Sequence, residues 1–157
     1  MIQRLSHLGL CVADLERSLR FYCEGLGFRE AGALDLAGEP SATLLELPGV
    51  ALRARWLERD GVRLELLHYP TPGATGDGRA RPMNERGFTH LSFRVADVGA
   101  TATRLEELGG RRLAHTRIDN PRLGMRALFV LDPDGARLEL IEGPGDPAAL
   151  PTTPRAR

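Results

Sequence analysis

"HLGLCVADLERSLRFYCEGLG" (His7–Gly27) and "HLSFRVADVGATATRLEELGG" (His90–Gly110) start, run and stop alike. Both open His-Leu, reach Val-Ala-Asp at the same offset, and end in Leu-Gly after a helical stretch. A second pair follows in the same order, "DGVRLELLH" (Asp60–His68) and "DGARLELIE" (Asp134–Glu142). Two ordered matches imply an internal duplication, which constrains the architecture before any single element is assigned. The copies span residues 1–70 and 88–143. A Gly-, Pro- and Arg-rich linker over 71–87 joins them, and a proline-rich tail over 144–157 is expected to be disordered.

Segments 4–12 and 88–95 alternate as strands do and carry the histidines. Asp14 and Asp97 stand where a carboxylate accepts from the orphan amides of a following helix. Leu15, Leu19, Tyr22 and Leu26 share one helical face, and Gly25, Gly27, Gly109 and Gly110 supply stops. Further strands are expected near 28–36, 42–47, 50–58 and 62–69, then 111–117, 125–131 and 136–142. The turns "ERDG" and "DPDG" carry the Asp and Gly of tight turns. Each copy therefore reads as a βαβββ module, an α+β arrangement with helices over one sheet face.

With 157 residues, neither copy alone buries much apolar surface, so the two are expected to share a core. Basic and acidic residues balance at 21 each, which points away from nucleic acid or an acidic membrane as partner. Every basic residue is arginine, so Schiff-base chemistry and a phosphate-loop lysine are both excluded. The first residues do not read as a secretory signal, and no apolar run reaches membrane-spanning length. Two cysteines are too few for a disulfide framework, and a cytoplasmic protein is expected.

Side chains alternate across a strand, so parity assigns faces. His7, Gly9 and Cys11 oppose Leu8, Leu10 and Val12; His90, Ser92 and Arg94 oppose Leu91, Phe93 and Val95. Glu65 opposes Leu64 and Leu66, and Glu139 opposes Leu138 and Leu140. If the aliphatic faces pack under the helices, His7, Glu65, His90 and Glu139 are left together on the other side. An ionised carboxylate in a sheet must be solvated, paired or bound to a cation. Two imidazoles and two carboxylates suit one divalent transition metal (Zn, Ni, Co, Fe or Mn) with room for water or substrate. His68 and His115 have no repeat partner on that face and are read as non-ligands. Glu46, Glu106, Glu107 and Glu142 read as solvated surface charges.

Taken together, "HLGLCVADLERSLRFYCEGLGF", "RLELL", "THLSFRVADV" and "LDPDGARLELIE" resemble the vicinal oxygen chelate superfamily, the glyoxalase I, bleomycin-resistance and dioxygenase group. The resemblance runs from His7 to Glu142. It implies paired βαβββ modules forming a cupped eight-stranded mixed sheet, helices outside, around one metal held by His7, Glu65, His90 and Glu139. It also implies a homodimer and a small-molecule substrate. The four-ligand set looks most like glyoxalase I, a lyase in which a glutamate moves a proton next to a carbonyl; Glu139, or else Glu65, would be that base. A methylmalonyl-CoA epimerase-like isomerase, an Fe(II) extradiol dioxygenase and a non-catalytic antibiotic-binding protein are the alternatives. Cys11 stands where glyoxalase I commonly has an arginine for glutathione, so it either lines the substrate cavity or is a small buried hydrophobe. Trp56 faces the cavity or a dimer partner. Arg117, Arg122 and Arg126, in the expected loop "HTRIDNPRLGMR", either hold a substrate carboxylate, phosphate or CoA, or are simply solvated.

Overall fold

A computed structural model describes residues 1–149. Module one runs β1 (Leu8–Cys11), α1 (Leu15–Arg20), β2 (Arg29–Ala37), α2 (Ser41–Leu45), β3 (Ala51–Arg59) and β4 (Val62–Thr71). Module two runs β5 (Leu91–Arg94), α3 (Val98–Glu107), β6 (Arg111–Asn120), β7 (Met125–Leu131) and β8 (Arg137–Glu142). The eight strands form two four-stranded mixed sheets, ordered β1-β4-β3-β2 and β5-β8-β7-β6. In each, the first strand pairs in parallel with the last and the rest are antiparallel.

Both expected helix starts are present. Asp14 accepts from the Arg17 amide at 3.0 Å and Asp97 from the Ala100 amide at 2.8 Å. The Arg17 amide and nearby arginines hold the Asp14 carboxyl below its usual range. Beyond Arg20 the first helix widens into a π-helical turn, Phe21–Gly25, which buries both Phe21 and Tyr22.

Two expectations change. Residues 42–47 are not a strand: Ser41–Leu45 is a short helix, ended by Glu46 in the left-handed region at φ 56°. Its Leu44 points into solvent, so the apolar alternation there reflects no sheet face. The segment 115–126 is a β-hairpin rather than a loop, with β6 reaching Asn120 before a turn over 121–124. Of the tail, residues 144–149 are described, with Asp146 accepting from the Ala148 amide at 2.8 Å; residues 150–157 lie outside the described residues.

The leucine faces pack under the helices, and one core spans both modules. It joins Val12, Leu15, Leu64 and Leu66 of the first with Ala102, Leu105, Leu138 and Leu140 of the second. A file of edge-to-face rings crosses the boundary: Phe21–Tyr22 at 5.4 Å, Tyr22–Phe28 at 6.0 Å and Phe28–Phe93 at 6.3 Å.

The "DPDG" turn between β7 and β8 locks the modules together. Buried Asp132 accepts from Tyr22 Oη at 2.8 Å and from the amides of Asp134 (3.0 Å) and Ala136 (2.7 Å). Burial pushes its carboxyl up and, with the adjacent carboxylate, pushes the Tyr22 phenol well up too. Asp134 reaches back to module one, accepting from Arg17 Nη2 at 2.7 Å, Ser18 Oγ at 3.1 Å and the Ala13 amide at 3.2 Å. Removing the Tyr22 hydroxyl strips a buried carboxylate of one of its donors. Tyr22→Phe is therefore expected to cost about 1–3 kcal/mol, read as a lower urea midpoint with unchanged slope; an unchanged midpoint would show that the contact does not stabilise the docking.

Candidate metal centre

His7 and His90 each sit immediately before the first strand of a module. Parallel pairing places Gly9 opposite Glu65 and Ser92 opposite Glu139. Each histidine thereby meets the glutamate of the neighbouring strand: His7 Nε2 lies 3.1 Å from Glu65 Oε2, and His90 Nε2 lies 3.4 Å from Glu139 Oε2. The other ring nitrogen is occupied in the same way in both copies. Ser6 Oγ stands 3.0 Å from His7 Nδ1, and Thr89 Oγ1 stands 2.9 Å from His90 Nδ1.

The second neighbours also match. Trp56 lies directly across from Glu65, and Phe129 directly across from Glu139, so each carboxylate has an aromatic residue on its own face. Trp56 extends over Gly32, where an added Cβ would come within 3.3 Å of the indole. This places Trp56 on the glutamate face, which parity alone left open. The His90 ring meets Phe129 edge-on at 5.6 Å, and the Arg137 guanidinium lies over Phe129 at 5.1 Å. The copies differ in one respect: Ser92 Oγ donates to Glu139 Oε2 at 2.7 Å, whereas glycine stands opposite Glu65.

The chain gathers the four expected ligands as two pairs, not as one foursome. Among the described residues, no three His, Cys, Asp or Glu side chains assemble at metal-binding distance. Each pair offers an imidazole nitrogen and a carboxylate oxygen, a donor set that suits Zn, Ni, Co, Fe or Mn.

The remaining candidates separate clearly. Cys11 lines a cavity of about 720 Å³ at the seam between the β1 and β5 edges, with Leu10, His90 and Leu91 and with linker residues Arg79 and Arg81 across it. That volume suits a small organic molecule. Partial desolvation and the Asp134 carboxylate push the Cys11 thiol up, so it stays protonated and is no thiolate nucleophile. Cys11 is exposed, which corrects the buried-hydrophobe alternative. Arg117 and Arg122 are exposed on the β6–β7 hairpin. Arg126 is engaged by Glu142 at 2.8 Å and Asp119 at 3.3 Å. Glu142 is not merely a solvated charge, because it also accepts from the Val98 amide at 3.1 Å at the start of α3. His115 is exposed on β6, and His68 Nδ1 lies 3.4 Å from the Val12 carbonyl, away from both pairs.

Ser6, Thr89, Ser92 and Phe129 were not singled out from the sequence. A signal for the first two was present: a hydroxyl residue precedes the repeat histidine in both "SHL" and "THL".

The profile of the Glyoxalase/Bleomycin resistance protein/Dioxygenase superfamily matches residues 4–140. The chain belongs to that superfamily. It is 31% identical over 150 residues to a lactoylglutathione lyase of Pseudomonas putida, covering 87% of this chain and 83% of the relative. It is 28% identical over 131 residues to an ethylmalonyl-CoA/methylmalonyl-CoA epimerase of Cereibacter sphaeroides, covering 83% and 87%. Among solved structures, a glyoxalase family protein from Bacillus cereus superposes with a TM-score of 0.77 at 21% identity, covering 92% of this chain and 97% of that one. No helix among the described residues is long and apolar enough to cross a membrane.

Proposed function

We propose that this chain is a metal-dependent lyase or isomerase that moves a proton next to a carbonyl of a small-molecule substrate, working in the cytoplasm as a homodimer. One observation carries the reading: in both modules a histidine Nε2 faces a glutamate of the neighbouring strand, with its Nδ1 held from behind. The pairs stay apart within a chain, so His7 and Glu65 of one copy are completed by His90 and Glu139 of a second. Every chain then contributes half of each of two equal centres. Free Cys11 and Cys23 fit a reducing compartment. The names of the relatives, a glutathione-conjugate lyase and an acyl-CoA epimerase, support the reaction class.

A divalent cation at such a centre supplies Lewis-acid stabilisation of negative charge on substrate oxygens. The chain's own residues do the rest. Glu139 takes and returns the proton: Ser92 and His90 both engage its Oε2, which leaves Oε1 for the substrate. Glu65 is the less exposed carboxylate, at 13% against 26% for Glu139, and holds charge opposite it. Trp56 and Phe129 present apolar faces beside the two carboxylates and limit water.

Metal analysis after reconstitution with Zn, Ni, Co, Fe or Mn tests this first. About one ion per chain is expected from two equivalent centres per dimer. A protein that takes up none of these ions would overturn the reading. Assays for lactoylglutathione formation and for methylmalonyl-CoA epimerisation then separate the two reaction types.

A further inference from the structure

We propose that Ser6 and Thr89 are positioning residues that act as two-way hydrogen-bond partners, allowing His7 and His90 to exchange tautomers as the centre fills. The inference rests on the metal-binding reading and adds to it what the two hydroxyls behind the rings do. Each hydroxyl lies within 3.0 Å of an Nδ1, while the Nε2 of the same ring faces a glutamate oxygen.

An ionised carboxylate only accepts hydrogen bonds. In the empty pair a neutral imidazole must therefore carry its proton on Nε2 and donate it to the glutamate. Nδ1 is then a bare acceptor, and the hydroxyl donates to it. An imidazole that gives its Nε2 lone pair to a cation carries the proton on Nδ1 instead, and its partner there must accept. A backbone carbonyl or carboxylate behind the ring would fit only the second arrangement. In the empty state it would leave the Nε2 lone pair facing a glutamate oxygen. A serine or threonine hydroxyl has one donor and two acceptor sites, so rotating it serves both states. The same solution stands in both copies, with different residues and within 0.1 Å of the same distance.

Long-range proton–nitrogen spectra of the uniformly labelled full chain, at a pH where imidazole is neutral, read the tautomers directly. Without metal, His7 and His90 are expected to carry the proton on Nε2; with Zn(II) added, on Nδ1. Ser6→Ala and Thr89→Val should each weaken Zn(II) binding by about tenfold or more, with Ser6→Thr and Thr89→Ser restoring it. The Ala and Val variants should also lose the uniform Nε2–H state in the metal-free protein. Zn(II) affinity and tautomers unchanged in Ser6→Ala and Thr89→Val would overturn the proposal, as would Nδ1–H in the metal-free wild type. A wild type that binds no Zn(II) sinks the metal reading and the exchange together. The metal-free spectra of the variants then still show whether the hydroxyls set the resting tautomer.

Discussion

Mixing His7→Ala protein with His90→Ala protein, after dissociation and reassociation, is expected to restore activity that neither variant has alone. The reason is the separation of the two pairs within each chain. A homodimer of either variant lacks one imidazole in both centres. In a mixed dimer, one centre lacks both imidazoles, and the other combines an intact His7–Glu65 pair with an intact His90–Glu139 pair. Random reassociation puts half the chains in mixed dimers with half their centres whole. Activity and bound metal should thus return to about one quarter of the wild-type level. No recovery, with dimers present by sedimentation, would mean that the pairs do not complete each other between chains.

Glu139→Gln should lower turnover by about 10²–10⁴-fold, the range for a positioned acid–base group. The amide keeps the shape and still accepts from Ser92, so the fold should survive; a retained circular dichroism spectrum and melting temperature check this. Glutamine gives a weaker metal ligand and no proton acceptor, so metal content must be measured beside rate. Lost turnover with metal retained assigns the proton transfer to Glu139. Wild-type turnover in the metal-loaded variant would move the role to Glu65.

The duplication was the most legible feature, because the strand register follows it: Gly9 meets Glu65 and Ser92 meets Glu139 at matching places. Parity sorted His7, Glu65, His90 and Glu139 from the leucine faces because alternation is a local property of a strand. It failed at 42–47, where Pro40 opens a short helix and Leu44 is apolar without being buried. The separation of the pairs was not legible. How the modules dock is set by contacts such as Tyr22 with Asp132 and Phe28 with Phe93, far apart in the chain, which no local periodicity encodes. The ion pair of Arg126 is likewise a tertiary contact, since its partner Glu142 lies on a neighbouring strand.

The meeting of the linker with the "DPDG" hairpin bears on how the chain is connected. Gly78 and Gly135 abut so closely that a Cβ on Gly135 would collide with the Gly78 carbonyl oxygen, and Arg137 donates to the Arg81 carbonyl at 2.9 Å. The span from β4 to β5 is therefore not a slack tether. It is fastened near its middle, so its length divides into two short bridges. Residues gained or lost in one bridge leave the reach of the other unchanged, and the second bridge is itself held at its start, where Arg81 donates to Glu85 at 2.8 Å and to the Arg86 carbonyl at 2.7 Å.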